Sequence, residues 1–283
     1  MTETKIEEIM ANVESFPSMP GAGTKLLSML KDPDTDASEI EKVLRYDPGL
    51  TANILKMTNS AYFGLPQKIG SVKQALLLLG WRRVNQLVLA SSVSTVMDKP
   101  VEGYNFSPGE LWRHSVAVSI AAEGLVKELS VPGTGEFFTT ALLHDIGKMI
   151  LGSFVKEDLD AIEDITSQGL PLVVAEQMVL GTDHAEIGAK ILTNWSFPPE
   201  VANAVRWHHD PDSPEEPNSL VDIVYLSNVL CQATGIGVND EAQPDELSPS
   251  ALERLGVEFE QLEPISEKTA QWIDELSEVL TFK

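Results

Sequence analysis

Apolar residues recur at three- and four-residue intervals along most of the chain, the spacing of one face of an α-helix. Ile6, Ile9, Met10 and Val13 share a face and predict a first helix; Leu26, Leu27 and Leu30 predict a second. Asp36 with Glu39 forms a capping pair for a third, which carries Ile40, Val43 and Leu44. Pro48 opens a short fourth, GLTANILKMTNS, because the proline ring suits the first helical turn. Ser71 with Gln74 makes a capping box for SVKQALLLL, and Gly80 stops or bends that helix before an apolar run to about Met97.

Residues 98–109, DKPVEGYNFSPG, carry two prolines and two glycines and mark the candidate domain boundary. Beyond it the helical pattern resumes over about 108–130, 136–153, 158–168, 171–180, 184–194, 198–209 and 217–233. Acidic, proline-bearing linkers follow at 211–217 and 239–249. Leu262, Ile265, Trp272, Ile273, Leu276 and Leu280 then predict a last amphipathic helix. No strand pattern, fixed-period repeat or low-complexity tract interrupts the series. The expected fold is all-α in two helical lobes: residues 1–105, residues 106–235, and a linker with a terminal helix packing on the core over 236–283.

Composition narrows the function classes. With 43% hydrophobic residues but only 6% aromatic, the core rests on Leu, Ile, Val, Ala and Met, which suits packed helices. The 43 acidic residues against 20 basic ones give a net charge of −23, which repels phosphate backbones and anionic membranes and argues against nucleic-acid binding. Arg82 and Arg83 form an adjacent basic pair, read as a helix-surface ion pair rather than an anion site. Cys231 is the single cysteine, expected in the core, and excludes an intramolecular disulfide. The N-terminal segment lacks a signal-peptide core and the apolar runs are too short or too polar to span a bilayer, so a cytoplasmic location is expected.

All five histidines lie between residues 114 and 209. His114 follows Glu110 by four positions, on one helical face. His144 precedes Asp145 in ALLHDIGK, His184 follows Asp183, and His208 and His209 stand before Asp210. Imidazole and carboxylate are ligands that borderline divalent metals accept. The spacing by itself fits either a metal cluster or hydrogen bonds at helix ends. If His208 and His209 are helical, they diverge by about 100° and address different ions or ligands.

ALLHDIGKMIL resembles the defining motif of the HD superfamily of metal-dependent phosphohydrolases. DPGLTANILKMTNSAYFGLPQKIGSVKQALLLLGWRRVNQLVLA resembles the signature of the HDOD family, the HD-related output domain. ELWRHSVAV, DHAEIGAKILTNWSFPPEVANAVRWHHDP and LVDIVYLSNVLC follow that family's order, so the resemblance covers about residues 15–232. It implies an all-α fold with an HD-like second lobe and a role in bacterial signal transduction. The superfamily's ligand pattern falls on His114, His144 and Asp145. The distal aspartate position holds Asn228, and Asp222 six positions earlier faces elsewhere. The related HD-GYP pattern adds Glu110, His184, His208 and His209, but the GYP signature is absent after His209. One or two divalent ions, iron-, manganese- or zinc-like, are implied. Lys148 is placed to meet a phosphate near the metal or to pair with an acid.

Two functions follow from this reading. One is a regulatory module that binds a signalling protein or a small phosphorylated ligand. The other is a metal-dependent phosphohydrolase acting on a phosphodiester or nucleotide, with Asp145 and Lys148 in the chemistry. The amide at Asn228 and the missing GYP segment favour the module.

Overall fold

The computed structural model describes residues 2–17, 24–26, 29, 35–44, 47–60, 63–132, 136–235 and 247–280. Leu27, Leu30 and the side chains of Trp272, Ile273, Leu276 and Leu280, all used in the sequence reading, lie outside what is described. The helices are α1 (Thr2–Ser15), α2 (Ala37–Leu44), α3 (Pro48–Thr58), α4 (Val72–Met97), α5 (Glu110–Glu128), α6 (Glu136–Leu143) and α7 (Lys148–Glu157). They continue with α8 (Leu159–Thr166), α9 (Leu172–Leu180), α10 (His184–Asn194), α11 (Pro199–Arg206), α12 (Ser219–Ala233), α13 (Pro249–Leu255) and α14 (Leu262–Leu280). Among the described residues the fold is all-α. The one extended pairing is an isolated bridge between Val101 and Phe106. No described helix is long and apolar enough to cross a membrane.

The residues form two compact units, one of Met1–Phe16 with Met97–Ile273, the other of Pro17–Val96 with Asp274–Lys283. Both are discontinuous along the chain. In the larger unit, α1 buries Ile9 and Val13 against α7, α9 and α10. Lys5 pairs with Asp158, and Phe16 stacks on Trp195 with ring centroids 6.0 Å apart. The centre of this unit is α5, buried nearly all round, packed on α6 and α12. Ala117, Ala121, Leu125, Ala141, Val221, Val224 and Tyr225 belong to one buried cluster. Leu252 of α13, Val257 after it, and Leu262 and Ile265 at the start of α14 complete the cluster.

Arg254 ties α13 down. Its Nε and Nη2 donate to the two oxygens of buried Asp222 at 2.9 and 2.6 Å, and Nη1 donates to Asp212 Oδ1 at 2.8 Å. Cys231 is buried, and burial raises its thiol pKa, which leaves it a core residue.

In the smaller unit Asp47 caps α3 by accepting from Leu50 N–H at 2.9 Å, with Pro48 in the first turn. Asn59 staples the following loop: its side chain donates to Ile69 O at 2.9 Å and accepts from Ile69 N–H at 2.7 Å. Ser71 Oγ accepts from Gln74 N–H, and Gln74 reaches back to Gly70 N–H. Gly80, at φ 79 and ψ 168, interrupts α4 with a backbone that L-residues rarely adopt, the bend its position suggested.

Two predicted helices are divided or shortened. The pattern over 136–153 is two helices, α6 and α7, separated by a turn at residues 144–147. The helix read to 209 ends at Arg206, with His208 and His209 in the turn beyond it. The site accounts for both breaks.

Candidate metal centre

Asp145 is the focus of the site. It sits in the turn between α6 and α7 and is buried. Gly147 makes that turn compatible with α10. A Cβ at residue 147 would lie 1.9 Å from His184 O and 2.7 Å from Gly188 N, so only glycine lets the two backbones meet. The close approach carries His184, the first residue of α10, onto Asp145. Asp183 caps α10 by accepting from Glu186 N–H at 2.7 Å and also meets Gln177 and Arg206.

Around Asp145 the imidazoles converge. Oδ2 lies 3.5 Å from His114 Nε2 and 3.4 Å from His144 Nε2. Oδ1 lies 3.3 Å from His184 Nε2 and 3.6 Å from His208 Nε2. His209 joins through its Nε2, 3.0 Å from His184 Nε2. Two groups have ligand atoms all within 4.8 Å of one another: Asp145, His184, His208 and His209, and His114, His144 and Asp145. All five histidines and Asp145 are thus brought together, from α5, the α6–α7 turn, α10 and the turn after α11.

The outward ring nitrogens are fixed. His144 Nδ1 donates to Ala141 O at 2.6 Å and His208 Nδ1 to Val205 O at 2.7 Å. A carbonyl only accepts, so each Nδ1 carries the proton and, in the neutral ring, Nε2 presents a lone pair. His184 Nδ1 faces Glu176 Oε2 at 2.8 Å. This is how proteins orient metal-binding imidazoles. His144 Nε2, His208 Nε2 and Asp145 Oδ1 are buried and lack an aligned hydrogen bond among the described residues. Lone pairs aimed at a carboxylate and left unpaired are costly to bury. A cation among them removes that cost, so the donors fit a divalent metal.

Electrostatics support the same picture at Asp145 and His208, whereas a metal at His184 must displace a proton. Burial alone would raise the Asp145 carboxyl pKa. Lys148, with contacts from His144 and His184, overcomes this and holds it well below the usual range. Burial and then the neighbouring His209 lower the His208 pKa well below normal, which keeps a neutral ligand. Burial opposes the charge on His184, but Glu176 and Asp145 hold its pKa at about 9.

Glu110 lies outside the ligand groups, and Lys148 takes one of its two expected places. Glu110 is the first residue of α5, and its carboxylate accepts from Ser107 N–H at 2.6 Å, a loop donor at the helix end outcompeting the i, i+4 alignment with His114. Lys148 pairs with an acid, Nζ lying 2.8 Å from Asp145 Oδ2 and under 6 Å from the ring centres of Tyr104 and Phe106. Asn228, on α12, is buried, and its Oδ1 has no hydrogen-bond partner among the described residues. Asp222 belongs to Arg254.

Glu176 and Tyr104 were not foreseen. Glu176, wholly buried on α9, accepts from the backbone N–H of His184 and from Tyr104 Oη at 2.6 Å. A lone acid inside the apolar run LVVAEQMVL is the signal that marked it. Tyr104 had none, since it lies in the stretch read as a linker. There the 3-10 turn Glu102–Tyr104 packs on α7, with Gly103 against the backbone of Gly152.

Fold and site define an all-helical, HD-like domain with a buried histidine–aspartate cluster. The HDOD domain family model matches residues 16–211, and the chain belongs to that family. Three solved structures share the fold. An HDOD domain protein of unknown function from Geobacter sulfurreducens aligns at TM-score 0.79 and 20% identity, over 100% of this chain and 99% of that one. A Shewanella amazonensis protein provisionally named a phosphohydrolase aligns at 0.75 and 24%, over 96% and 98%. A Marinobacter aquaeolei protein provisionally named for signal transduction aligns at 0.72 and 17%, over 99% and 65%. An uncharacterized protein of Treponema pallidum is 24% identical over 262 residues, and this chain spans about half its length.

Proposed function

We propose that the chain is a regulatory binding module of bacterial signal transduction that retains an HD-type metal pocket but is not equipped for efficient turnover. The observation that carries this is the carboxylate inventory. Asp145 is the single carboxylate in both ligand groups, and Lys148 already pairs with it. Two divalent ions would bring four positive charges against one carboxylate ligand, with Glu176 held behind His184 and the Lys148 ammonium adding to the excess. The proposed ligands are His114, His144, Asp145, His184, His208 and His209. Asn228 stands at the proposed distal position, where an amide balances no charge. The nitrogen-rich set suits iron- or zinc-like ions better than magnesium or calcium. The family membership and the Marinobacter likeness support the signalling context.

The alternative, a phosphohydrolase, is favoured by how much of the imidazole set survives and by the Shewanella likeness. A bound metal would supply Lewis-acid activation of water there. Elemental analysis of the purified protein, with a hydrolysis screen over cyclic dinucleotides, nucleotides and generic phosphodiesters, separates the two. Bound metal without turnover is expected. Robust turnover abolished by His144→Ala overturns the module reading.

A further inference from the structure

Charge is unevenly distributed in this acidic protein. Residues 48–97 contain no Asp or Glu, yet hold Lys56, Lys68, Lys73, Arg82 and Arg83. The whole chain stands at −23, so everything outside this stretch is more acidic still. Arg83 donates to Gln86 Oε1 at 3.1 Å. Lys68, Lys73 and Arg82 are exposed and make no ion pair among the described residues.

The same stretch breaks the helical burial pattern. In the first part of α4, Val72, Ala75 and Leu76 are buried. The opposite face carries Lys73, Gln74, Leu77 and Leu78. Leu77 is 76% exposed and Leu78 58%, and Trp81, just past the Gly80 break, is 38% exposed. Lys73 and Leu77 are i, i+4 neighbours, as are Gln74 and Leu78, so basic and apolar side chains alternate along one solvent-facing ridge. Large aliphatic groups on a helix face that ought to be polar are the mark of a contact surface.

We propose that this ridge of α4 is a docking surface for an acidic amphipathic helix of a partner protein. Leu77, Leu78 and Trp81 would serve as apolar anchors, with Lys73 and Arg82 meeting carboxylates at the rim. The choice of occupant follows from charge. Two copies joined ridge to ridge would set like charges together, and a ridge on the acidic remainder of a second copy is head-to-tail, which builds rings or filaments rather than a two-fold dimer. An anionic bilayer or a nucleic acid is broad enough to meet the acidic remainder of the chain, whereas a single short helix meets only the basic ridge. A small ridge of this kind suits a transient complex, with Kd on the order of micromolar. The inference rests on the module reading, since it identifies where that module would engage its partner.

The test titrates the full chain against a labelled synthetic helix of about twenty residues, long enough to hold helical structure. It carries Leu at i, i+3, i+4 and i+7 with Glu on the flanks, beside a twin with Lys for Glu. Fluorescence anisotropy should show the Glu helix binding at least about tenfold tighter than the Lys helix, and weakening with salt. Leu77→Ser with Leu78→Ser, and separately Lys73→Glu with Arg82→Glu, should each weaken it at least about tenfold with circular dichroism unchanged. Equal binding of the two helices, or indifference to both double variants, overturns the proposal. So does tighter binding to phosphatidylglycerol vesicles or an oligonucleotide, or self-association that the leucine variant abolishes. The hydrolysis screen on the same samples keeps the two failures apart. Turnover sinks the module reading whatever the helix does, whereas no turnover and no helix binding sinks the docking surface alone.

Discussion

Glu176 Oε2 receives both N–H groups of His184, the backbone one at 2.9 Å and the ring Nδ1 at 2.8 Å, while its other oxygen takes the Tyr104 hydroxyl. One buried carboxylate thus fixes where α10 begins and which nitrogen of its first residue faces Asp145.

Glu176→Ala frees the His184 ring to rotate and removes the carboxylate that orients it. Loss of such an outer partner typically costs about 10–100-fold in metal affinity. Zinc titration calorimetry should show that loss, and Tyr104→Phe, which leaves the Glu176–His184 contact in place, should cost less. Equal affinity in wild type and Glu176→Ala would remove Glu176 from any metal role.

Lys148→Met removes the cation that Asp145 relies on in the absence of metal. A buried charge left without its partner costs roughly 3–5 kcal/mol. Urea denaturation with chelator present should register a loss of that order, and saturating zinc should restore most of it. Metal should also bind more tightly than in wild type, because the competing ammonium is gone. A variant equally stable with and without metal counts against Asp145 as a ligand.

Asn228→Asp puts a carboxylate at the proposed distal position, where the amide Oδ1 is buried without a hydrogen-bond partner among the described residues. The expectation is tighter metal binding together with lower stability in chelator, since a further buried negative charge is then introduced without a counter-charge. Metal titration and thermal melts on the same preparation check both. Unchanged affinity would place the distal ligand elsewhere.

Arg254→Ala deprives Asp222 of a bidentate partner. Asp222 is 1% exposed, but Arg254 is partly open to solvent, so a loss near the lower end of roughly 3–5 kcal/mol is expected. Asp222→Asn in the same background should recover part of it, read as non-additivity in a double-mutant cycle. Simple additivity would show that the pair does not hold α13 to α12.

The sequence by itself determined the local features. Apolar periodicity defined most helices because each amphipathic face is written within a few turns. Ser71, Pro48 and Gly80 marked their ends and breaks through backbone chemistry that needs no distant partner. The histidines and Asp145 were legible as a set through their motifs. Tertiary structure decided what depends on groups far apart in the chain. The break at residues 144–147 exists because Gly147 meets the His184 backbone, so a helical pattern across 136–153 could not disclose it. His208 and His209 reach one site because a turn, unlike a helix, does not force neighbouring side chains apart. Glu176, Tyr104 and Arg254 acquire their roles only from partners eight to seventy-two residues away. Which leucines of ALLLL face solvent was likewise undetermined, because a continuous apolar run has no face until packing chooses one.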